Sequence, residues 1–464
     1  MPASFIPLVP PIVANLHQEG LLERAFHDPL VPALQFRALA AREEADANIG
    51  SSIFMTRRGL LPVVTEPVRA SQTEPQPQTL GYEQWEARLE RYWGTIDTSL
   101  IQNAMAIATT LGSNLAALGT QAGMSINRIA RNSLYKPYCG GHTVTVDAAG
   151  STDRKVHVAS LNGFRFVVIR QKNVQPKEVS STYPLPVTIN STIKLNVIEA
   201  VPDSVDDPDG PGTLTLSDVL GANIGARVSV LAGNRPRVLR AGGGTSIDAI
   251  GSGDILTVQD VINAVTVLRD NLVPPHEDGF YHCQLPNLGN AQFFQDPVFQ
   301  RLHTALPDSE RYRDAFIGQF GGVRFFANTV CPDVTNSGAT VATGNNALYS
   351  REIGAETVNE DGVRIGRAII TGRAAIYERW FDAKKHLVSE AGMTGQQGDF
   401  NVSVGGIQID TEGMRLVIRS PIDRVMDMVA ATWDVITCFP APSDIAAGGP
   451  EHYKRAVELE FALV

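Results

Sequence analysis

Apolar residues recur at helical spacing in two stretches of the chain. The first stretch predicts a helix over 97–135, capped by Asp97 or Thr98, kinked or broken near Gly123 and stopped by Pro137. Its apolar face consists of Ile101, Met105, Ala108, Leu111, Leu115 and Leu118. The second stretch predicts a helix over 257–272, with one face formed by Val258, Val261, Ile262, Val265 and Leu268.

Between these two helices the pattern changes to short runs of β-forming residues. Clusters of Gly, Pro, Asp and Asn separate the runs, which is typical of antiparallel sheets joined by tight turns. The runs are 143–146, 155–161, 164–170, 186–198, 226–231 and 237–240. The pattern predicts an antiparallel barrel or sandwich inserted over 143–250.

The two ends of the chain show weaker patterns. Residues 1–47 indicate an arm that orders only against another surface, with short helices before Pro29 and over 34–47. Near the other end, the pattern predicts a helix over 374–390. The strands predicted after it are 406–410, 414–419, 426–436 and 455–463.

Residues 48–95 indicate an extended excursion from the core. Its tip at 70–79 is polar and contains two prolines, so it cannot bury itself and is expected to project. The return limb over 82–93 is ambiguous, because its aromatic residues fit a helical face while its alternation fits a strand. Aromatic residues so close to a polar loop are what a partner surface would use, and a local core is the alternative.

Composition narrows the class of protein. Of 464 residues, 43% are hydrophobic and 19% charged, so the chain can bury a large core and divide into several domains. A formal net charge of −10 argues against nucleic acid held on a basic face. The dispersed cysteines argue against a disulfide framework, the N-terminus lacks a signal-peptide pattern, and no apolar run reaches the ~18 residues of a membrane helix. We therefore expect a protein that does not contact membranes.

Candidate chemistry is sparse. His276, His282, Cys283 and His303 come closest to a metal cluster, but their spacing matches no zinc pattern. The acidic turn of Asp203, Asp206, Asp207 and Asp209 lacks the spacing of a calcium loop. The glycine-rich segment 241–245 lacks the Lys-Ser/Thr of a phosphate loop, and Ser252 does not lie in a nucleophile elbow. We expect no catalytic residues, no metal and no cofactor, and hence no enzyme.

Several segments resemble a known family. They are "GDILTVQDVINAVTVLRDNLVPPHEDGFYHCQLPN", "RYRDAFIGQFGGVRFFANT", "LGYEQWEARLERYWGTIDTSL", "NRIARNSLYKPYCGG" and "LVIRSPIDRVMDMVAATWDVITCF". Together they resemble the N-four-like coat-protein family of tailed phages, which has the Hong Kong 97-type shell fold. The resemblance implies an α+β capsid fold, and it makes 82–93 a strand. The β-rich insertion departs from the family, which joins the adjoining helices by a short segment.

The resemblance also implies how the chain is divided. The expected parts are an N-terminal arm (1–47), an extended loop (48–95), the spine helix of the peripheral domain (96–142), the inserted β-rich domain (143–250), the axial domain with its connections (251–400) and the C-terminal strands (401–464). Covalent cross-linking of the loop, known in part of the superfamily, needs a loop lysine, and residues 48–95 contain none.

The function implied by the resemblance is that of a major capsid protein. Such a chain self-assembles into hexamers and pentamers that form the icosahedral head, encloses DNA without sequence-specific binding, and is assembled in the bacterial host cytoplasm. Scaffolding, portal and decoration proteins would be its further partners. The residues expected at the subunit interface are Arg57, Arg58, Trp85 and Tyr92. The alternatives are an encapsulin-like nanocompartment shell and a β-rich glycan-binding or hydrolytic protein.

Overall fold

The computed structural model describes part of the chain. The described residues are 21–30, 34–45, 50, 52–58, 64–65, 82–99, 110–168, 176–205, 207–233, 235–304, 318–328, 330–331, 359, 361–381, 406–411, 413–419, 428–442 and 454–464. The predicted loop tip at 70–79 and residues 1–20 of the predicted arm lie outside them.

Helices and strands alternate irregularly along the chain, and the predicted α+β class is confirmed. The helices are α1 Leu21–Leu30, α2 Thr110–Tyr138, α3 Val258–Asp270, α4 Asn287–Gln295 and α5 Pro297–Thr304. The strands are β1 Ala41–Glu44, β2 Ser52–Arg58, β3 Tyr82–Arg88, β4 Glu90–Ser99, β5 His142–Val144, β6 Lys155–Val158, β7 Phe166–Val168, β8 Pro176–Glu178, β9 Leu185–Ile189, β10 Ile193–Pro202, β11 Gly212–Leu216, β12 Ser229–Ala232, β13 Val238–Arg240, β14 Tyr281–Leu285, β15 Gln319–Phe320, β16 Val323–Ala327, β17 Arg364–Thr371, β18 Tyr377–Phe381, β19 Gly406–Thr411, β20 Met414–Arg419, β21 Met428–Cys438 and β22 Ala456–Leu463.

The chain divides into two compact units. Unit 1 consists of Met1–Ile53, Glu86–Arg131 and Ile376–Pro440, and unit 2 of Phe54–Trp85, Asn132–Ala375 and Ala441–Val464. Each unit is therefore built from segments that are distant in sequence. The six segment boundaries expected from the resemblance stay predictions.

Unit 1 contains a six-stranded sheet in the order β1-β18-β21-β20-β19, with β4 paired along β21. Helix α2 packs on this sheet, where the Trp433 Nε1 donates a hydrogen bond to Gln121 Oε1 at 3.3 Å. Helix α1 crosses α2 so closely that a side chain at Gly119 would collide with the carbonyl oxygen of Phe26. A glycine at this point of α2 thus permits the crossing.

The predicted arm is anchored in unit 1 after Leu34. Strand β1 pairs in parallel with β18, and the Phe36 N–H donates to Asn127 Oδ1 at 2.6 Å. The buried Arg37 guanidinium forms an ion pair with the equally buried Glu378 at 2.7 Å. A buried charge needs such a partner, so this pair fixes where the arm enters the unit. The helix predicted over 34–47 is wrong where the chain is described, because only a short 3-10 turn forms at Arg37–Leu39 and Ala41–Glu44 pairs with β18 as strand β1.

Unit 2 contains a second six-stranded sheet, in the order β13-β22-β17-β14-β16-β15. Helix α3 begins with a capping box, in which Thr257 and Asp260 each bond the other's backbone N–H. Its buried face packs on the sheet, and the rings of Phe293 and Phe299 from α4 and α5 meet at 4.9 Å in the same core. The helix predicted over 257–272 is therefore confirmed.

A third six-stranded sheet, in the order β5-β12-β9-β10-β11-β6, also lies in unit 2. A bridge between Thr145 and Val158 joins its first strand to its last, so the sheet closes on itself. Two hydrogen bonds extend the closure, from Val146 N–H to the His157 carbonyl and from Ala159 N–H to the Val144 carbonyl, both at 2.9 Å. The predicted runs 143–146, 155–161, 186–198 and 226–231 fall in this closed sheet, whereas 164–170 contains β7, which pairs with β8 in a separate sheet, and 237–240 contains β13, which pairs with β22 in the second sheet. An inserted domain over 143–250 stays a prediction.

Three predictions about the helix over 97–135 need correction. Asp97 and Thr98 do not cap α2, because both lie in β4, which pairs with β21 as far as Ser99. The helix passes Gly123 without a break, since buried neighbours such as Ala122 and Ile126 outweigh the ~1 kcal/mol cost of a helical glycine. It also continues past Pro137 to Tyr138.

The helix predicted over 374–390 is also wrong where the chain is described. Tyr377–Phe381 forms β18, which lies between β1 and β21. Tertiary pairing with two strands from remote parts of the chain decides its structure. The limb over 82–93, which was ambiguous by pattern, forms strands β3 and β4 as the resemblance implies.

Candidate functional site

Strand β4 presents a long open edge in unit 1. Its ten residues, Glu90–Ser99, pair with β21 from Ser99 opposite Met428 to Glu90 opposite Thr437. Among the described strands, none pairs with the other edge of β4. An open edge carries a row of backbone donors and acceptors, so it is a template for another chain to pair with.

The two faces of β4 differ. One face looks toward α2, where Asn114 Nδ2 donates to Thr98 Oγ1 at 2.9 Å and a side chain at Gly94 would collide with Trp433. Because side chains alternate along a strand, Arg91 and Trp93 lie on the other face. The Trp93 side chain is 64% exposed, and the Arg91 guanidinium lies 5.3 Å from the centre of its ring. An exposed tryptophan beside an arginine has the composition of an interface centre.

An ion-pair group holds this outer face together. Arg91 binds Asp434 with two bonds, Nε to Oδ1 at 2.9 Å and Nη2 to Oδ2 at 2.6 Å, and Arg415 Nη2 donates to the same carboxylate. Burial alone would raise the pKa of Asp434, but the bonds from Arg91 and Arg415 outweigh it and lower this pKa. The carboxylate therefore joins the neighbouring strands β4, β21 and β20 through their side chains.

Tyr92, one of the predicted interface residues, lies on β4. Its ring is half-buried and its hydroxyl donates to Glu90 Oε2 at 2.7 Å. Burial and the Glu90 carboxylate raise the pKa of Tyr92 above its usual value, so the hydroxyl stays protonated. Its role in an interface stays a prediction.

The other predicted interface residues lie on the strand pair β2-β3. Arg57 and Arg58 end β2, and their side chains lie outside what the structure describes. Trp85 on β3 is 4% exposed within its own chain. Phe54 on β2 is 60% exposed and was not selected from the sequence. The strand pair thus presents an exposed aromatic ring, while the interface roles of Arg57, Arg58 and Trp85 stay predictions.

The candidate metal ligands are engaged with protein groups. The rings of His276 and His282 stack at 4.0 Å, and His282 Nε2 lies 2.8 Å from Asp278. Burial and the repulsion of His282 lower the pKa of His276 to about 4. In the acidic turn, Asp203 bonds His157 and Asp209 bonds Arg165. The described residues contain no group of three or more His, Cys, Asp or Glu side chains that could hold a metal ion.

A carboxyl group with a raised pKa lies in a buried ion network of unit 2. Burial and the neighbouring Glu460 raise the pKa of Glu458 to about 7. Arg367 contacts both carboxylates, with Nε 3.3 Å from Glu458 and 3.1 Å from Glu460. The nearby Cys139 thiol has a pKa raised well above its usual value by burial, so it is a poor nucleophile. The network is a structural group of ion pairs that joins strands β17 and β22.

Comparisons with known proteins give structural similarity alone. No protein-family model matches the sequence, and the curated proteins give no match. The capsid of cyanophage Pam1 is similar over 94% of this chain and 92% of its own, at 7% identity and a TM-score of 0.49. The head structure of Helicobacter pylori bacteriophage KHP40 covers 92% and 91%, at 8% identity and a TM-score of 0.48. The capsid of Ralstonia phage GP4 covers 92% and 87%, at 9% identity and a TM-score of 0.46.

Because the sequence identities and TM-scores are this low, the function has to be inferred from the geometry of the chain itself. Within the part of the chain that is described, no helix has the length and hydrophobicity to cross a membrane.

Proposed function

We propose that the chain is the major capsid protein of a tailed bacteriophage. In this role it self-assembles into hexamers and pentamers that form the icosahedral head around the DNA genome. The observation that carries the proposal is the open edge of β4 with Trp93 exposed beside it. A ten-residue open strand is an aggregation hazard in a monomer, and it becomes useful when a partner chain covers it.

The order of the elements supports the same function. The paired strands β2 and β3 precede β4 and the 29-residue helix α2, as the family's extended loop precedes its spine helix. Strand β14 ends just before Pro286, and the turn at Gly321 and Gly322 leads into β16. Both features lie within two of the segments that resemble the coat-protein family, "GDILTVQDVINAVTVLRDNLVPPHEDGFYHCQLPN" and "RYRDAFIGQFGGVRFFANT".

Assembly of this kind needs no catalytic residue. Each subunit buries surface against several neighbours, so weak contacts add up through multivalency. A standard protein interface buries ~1,600 Å², and a shell subunit with several neighbours buries more in total. The role is structural, in the virion capsid, with scaffolding, portal and decoration proteins as its further partners. The chain encloses DNA without reading its sequence and is assembled in the host cytoplasm.

The two alternatives differ from this proposal in what they would require. An encapsulin-like shell would use the same assembly surfaces but enclose protein cargo. A glycan-binding or hydrolytic protein would require carboxylates and aromatic rings that converge in a pocket of the closed sheet. Nothing in the described residues specifically favours either alternative.

The test is assembly of the full-length chain after expression in bacteria. We expect shells by sedimentation and negative-stain microscopy. Trp93→Lys places a charge beside the open edge and should give folded subunits or capsomers that do not close. Val205→Lys is the matched control, because Val205 is 93% exposed in a turn outside unit 1 and should leave shell formation unchanged. Shells of normal yield from Trp93→Lys would contradict the role of this edge.

A further inference from the structure

A second feature of unit 2 is a basic cavity of about 370 Å³. Several elements of unit 2 line it. They are strand β12 and the linker that follows it, the glycine-rich segment 241–245, the end of helix α3 and the start of strand β22. The charged side chains that line it are Arg235, Arg237, Arg240 and Lys454, and no Asp or Glu lines it. This is unusual in a chain with a net charge of −10.

The basic side chains are held in place by the backbone around them. Lys454 is 9% exposed, and its ammonium group donates to the Arg235 carbonyl at 2.8 Å. Arg235 Nη1 donates to the Ala232 carbonyl at 3.0 Å. Arg240 Nη1 donates to the Thr245 carbonyl at 2.9 Å, so the glycine-rich segment closes one side of the cavity. Preorganised charges bind a ligand at a lower entropic cost than mobile surface charges.

The positive charge in the cavity is only partly neutralised. Arg240 is paired with Glu460, its Nε lying 2.7 Å from the carboxylate. Among the described residues, neither Arg235 nor Arg237 forms an ion pair. Burial lowers the pKa of Arg235, and the charges of Arg240 and Arg237 lower it further. Like charges brought together in this way repel one another, and a bound anion relieves the repulsion.

We propose that this cavity binds an anion that carries phosphate groups. Arginine guanidinium groups match phosphate oxygens with two parallel hydrogen bonds, and a lysine adds a point charge. The volume falls in the range of ~300–1,000 Å³ that is typical of small-molecule sites, so a ligand with more than one phosphate group fits. The glycine-rich segment 241–245 is then a wall of a phosphate site, although it lacks the sequence of a phosphate loop.

The test is calorimetric titration of the full-length chain with inorganic tripolyphosphate. Arg237→Gln should weaken binding at least tenfold, because Arg237 is exposed at the cavity and removing its charge leaves the fold intact. Arg235→Gln should weaken it to a similar degree. Arg154→Gln is the charge-matched control on an exposed part of the closed sheet, and its affinity should stay within twofold of the wild type.

Two further arms identify the source of the phosphate groups. A short DNA duplex that competes with tripolyphosphate, and loses affinity in Arg237→Gln, would identify the nucleic-acid backbone as the ligand. Tripolyphosphate binding that such a duplex does not displace would identify a small oligophosphate. Absence of binding to both probes, or an equal loss in Arg154→Gln, would overturn the proposal. An unchanged melting temperature of the free variants shows that the fold is retained.

Discussion

The closed sheet of unit 2 and the sheet of unit 1 that contains β4 each have six strands. They differ in whether their edge strands are paired. The bridge between Thr145 and Val158 leaves the closed sheet without a free edge. In the other sheet, β4 runs along β21 for ten residues, and no described strand covers its outer side. A sheet that satisfies its own backbone can fold by itself, while an open one needs or invites a partner.

The two regions also differ in what lies inside them. The closed sheet surrounds its own core, in which Leu185, Ile189, Val197, Leu214 and Val230 are fully buried. The outer face of the open sheet carries the Arg91–Asp434–Arg415 group and the exposed Trp93. Under the proposed function, the first region provides internal stability and the second provides contact with other subunits. The difference suggests that substitutions in the first act on folding and substitutions in the second act on assembly.

The largest effect is expected in the core of the closed sheet. Leu214→Ala should lower the free energy of unfolding by ~2–5 kcal/mol, since it opens a cavity at a fully buried site. Val219→Ala, at a side chain that is 44% exposed, should change it by less than ~0.5 kcal/mol. Hydrogen exchange followed by mass spectrometry will show whether protection falls within 142–232 alone. Equal loss of protection in β4 and β21 would mean that the two sheets do not fold independently.

A smaller effect is expected from the ion-pair group of the open sheet. Asp434→Asn leaves two arginines without their carboxylate and should cost ~1.5–3 kcal/mol, the usual range for hydrogen bonds to charged groups. The pKa of Asp434 is lowered by folding, so its contribution is present above its ordinary pKa of 3.8 and is lost as the pH falls through the lowered value. The stability difference between wild type and variant should therefore shrink in acid.

Urea denaturation at several pH values measures this difference. Asp97→Asn is the control, because Asp97 is exposed on the paired strand β4. If Asp97→Asn costs as much as Asp434→Asn, net charge rather than the specific group stabilises the sheet.

Local patterns predicted part of the fold. Helix α3 and strands β5, β6 and β12 follow from periodicity and from runs of β-forming residues. The run 186–198 was predicted as one strand, but Asn190 and Ser191, both at positive φ, turn the chain between β9 and β10, and β11 was not predicted. The larger errors fall where partners are remote. Strand β18 pairs with β1 in the arm, and this pairing overrides the helical pattern over 374–390. Strand β4 pairs with β21, and this pairing overrides the helix start predicted at Asp97 or Thr98. Each pair joins residues more than half of the chain apart.

The candidate site was only partly predictable for the same reason. The sequence indicated that aromatic residues in the return limb contact a partner, but exposure decides which of them can do so. Trp85 on β3 is buried in its own chain and Trp93 on β4 is exposed, although the two strands follow each other directly in the sequence. Alternation along the limb separates odd from even positions but does not reveal which side α2 covers. The basic cavity was likewise hidden, because Arg235 and Lys454 are remote in sequence.

The smallest effect on folding, and the sharpest test of the comparison, is expected at Trp93. Trp93→Ala should change the free energy of unfolding of the subunit by less than ~0.5 kcal/mol, because a side chain that is 64% exposed contributes little to its own core.

Of the four tryptophans, Trp93 is the one with a largely exposed side chain, so it should account for most of the fluorescence that iodide quenches in free subunits. Closing the shell should protect it from iodide and shift its emission to the blue, a change that Trp93→Phe should abolish. If the quenching of Trp93 is the same in subunits and shells, the open sheet is ordinary surface and its contrast with the closed sheet has no role in assembly.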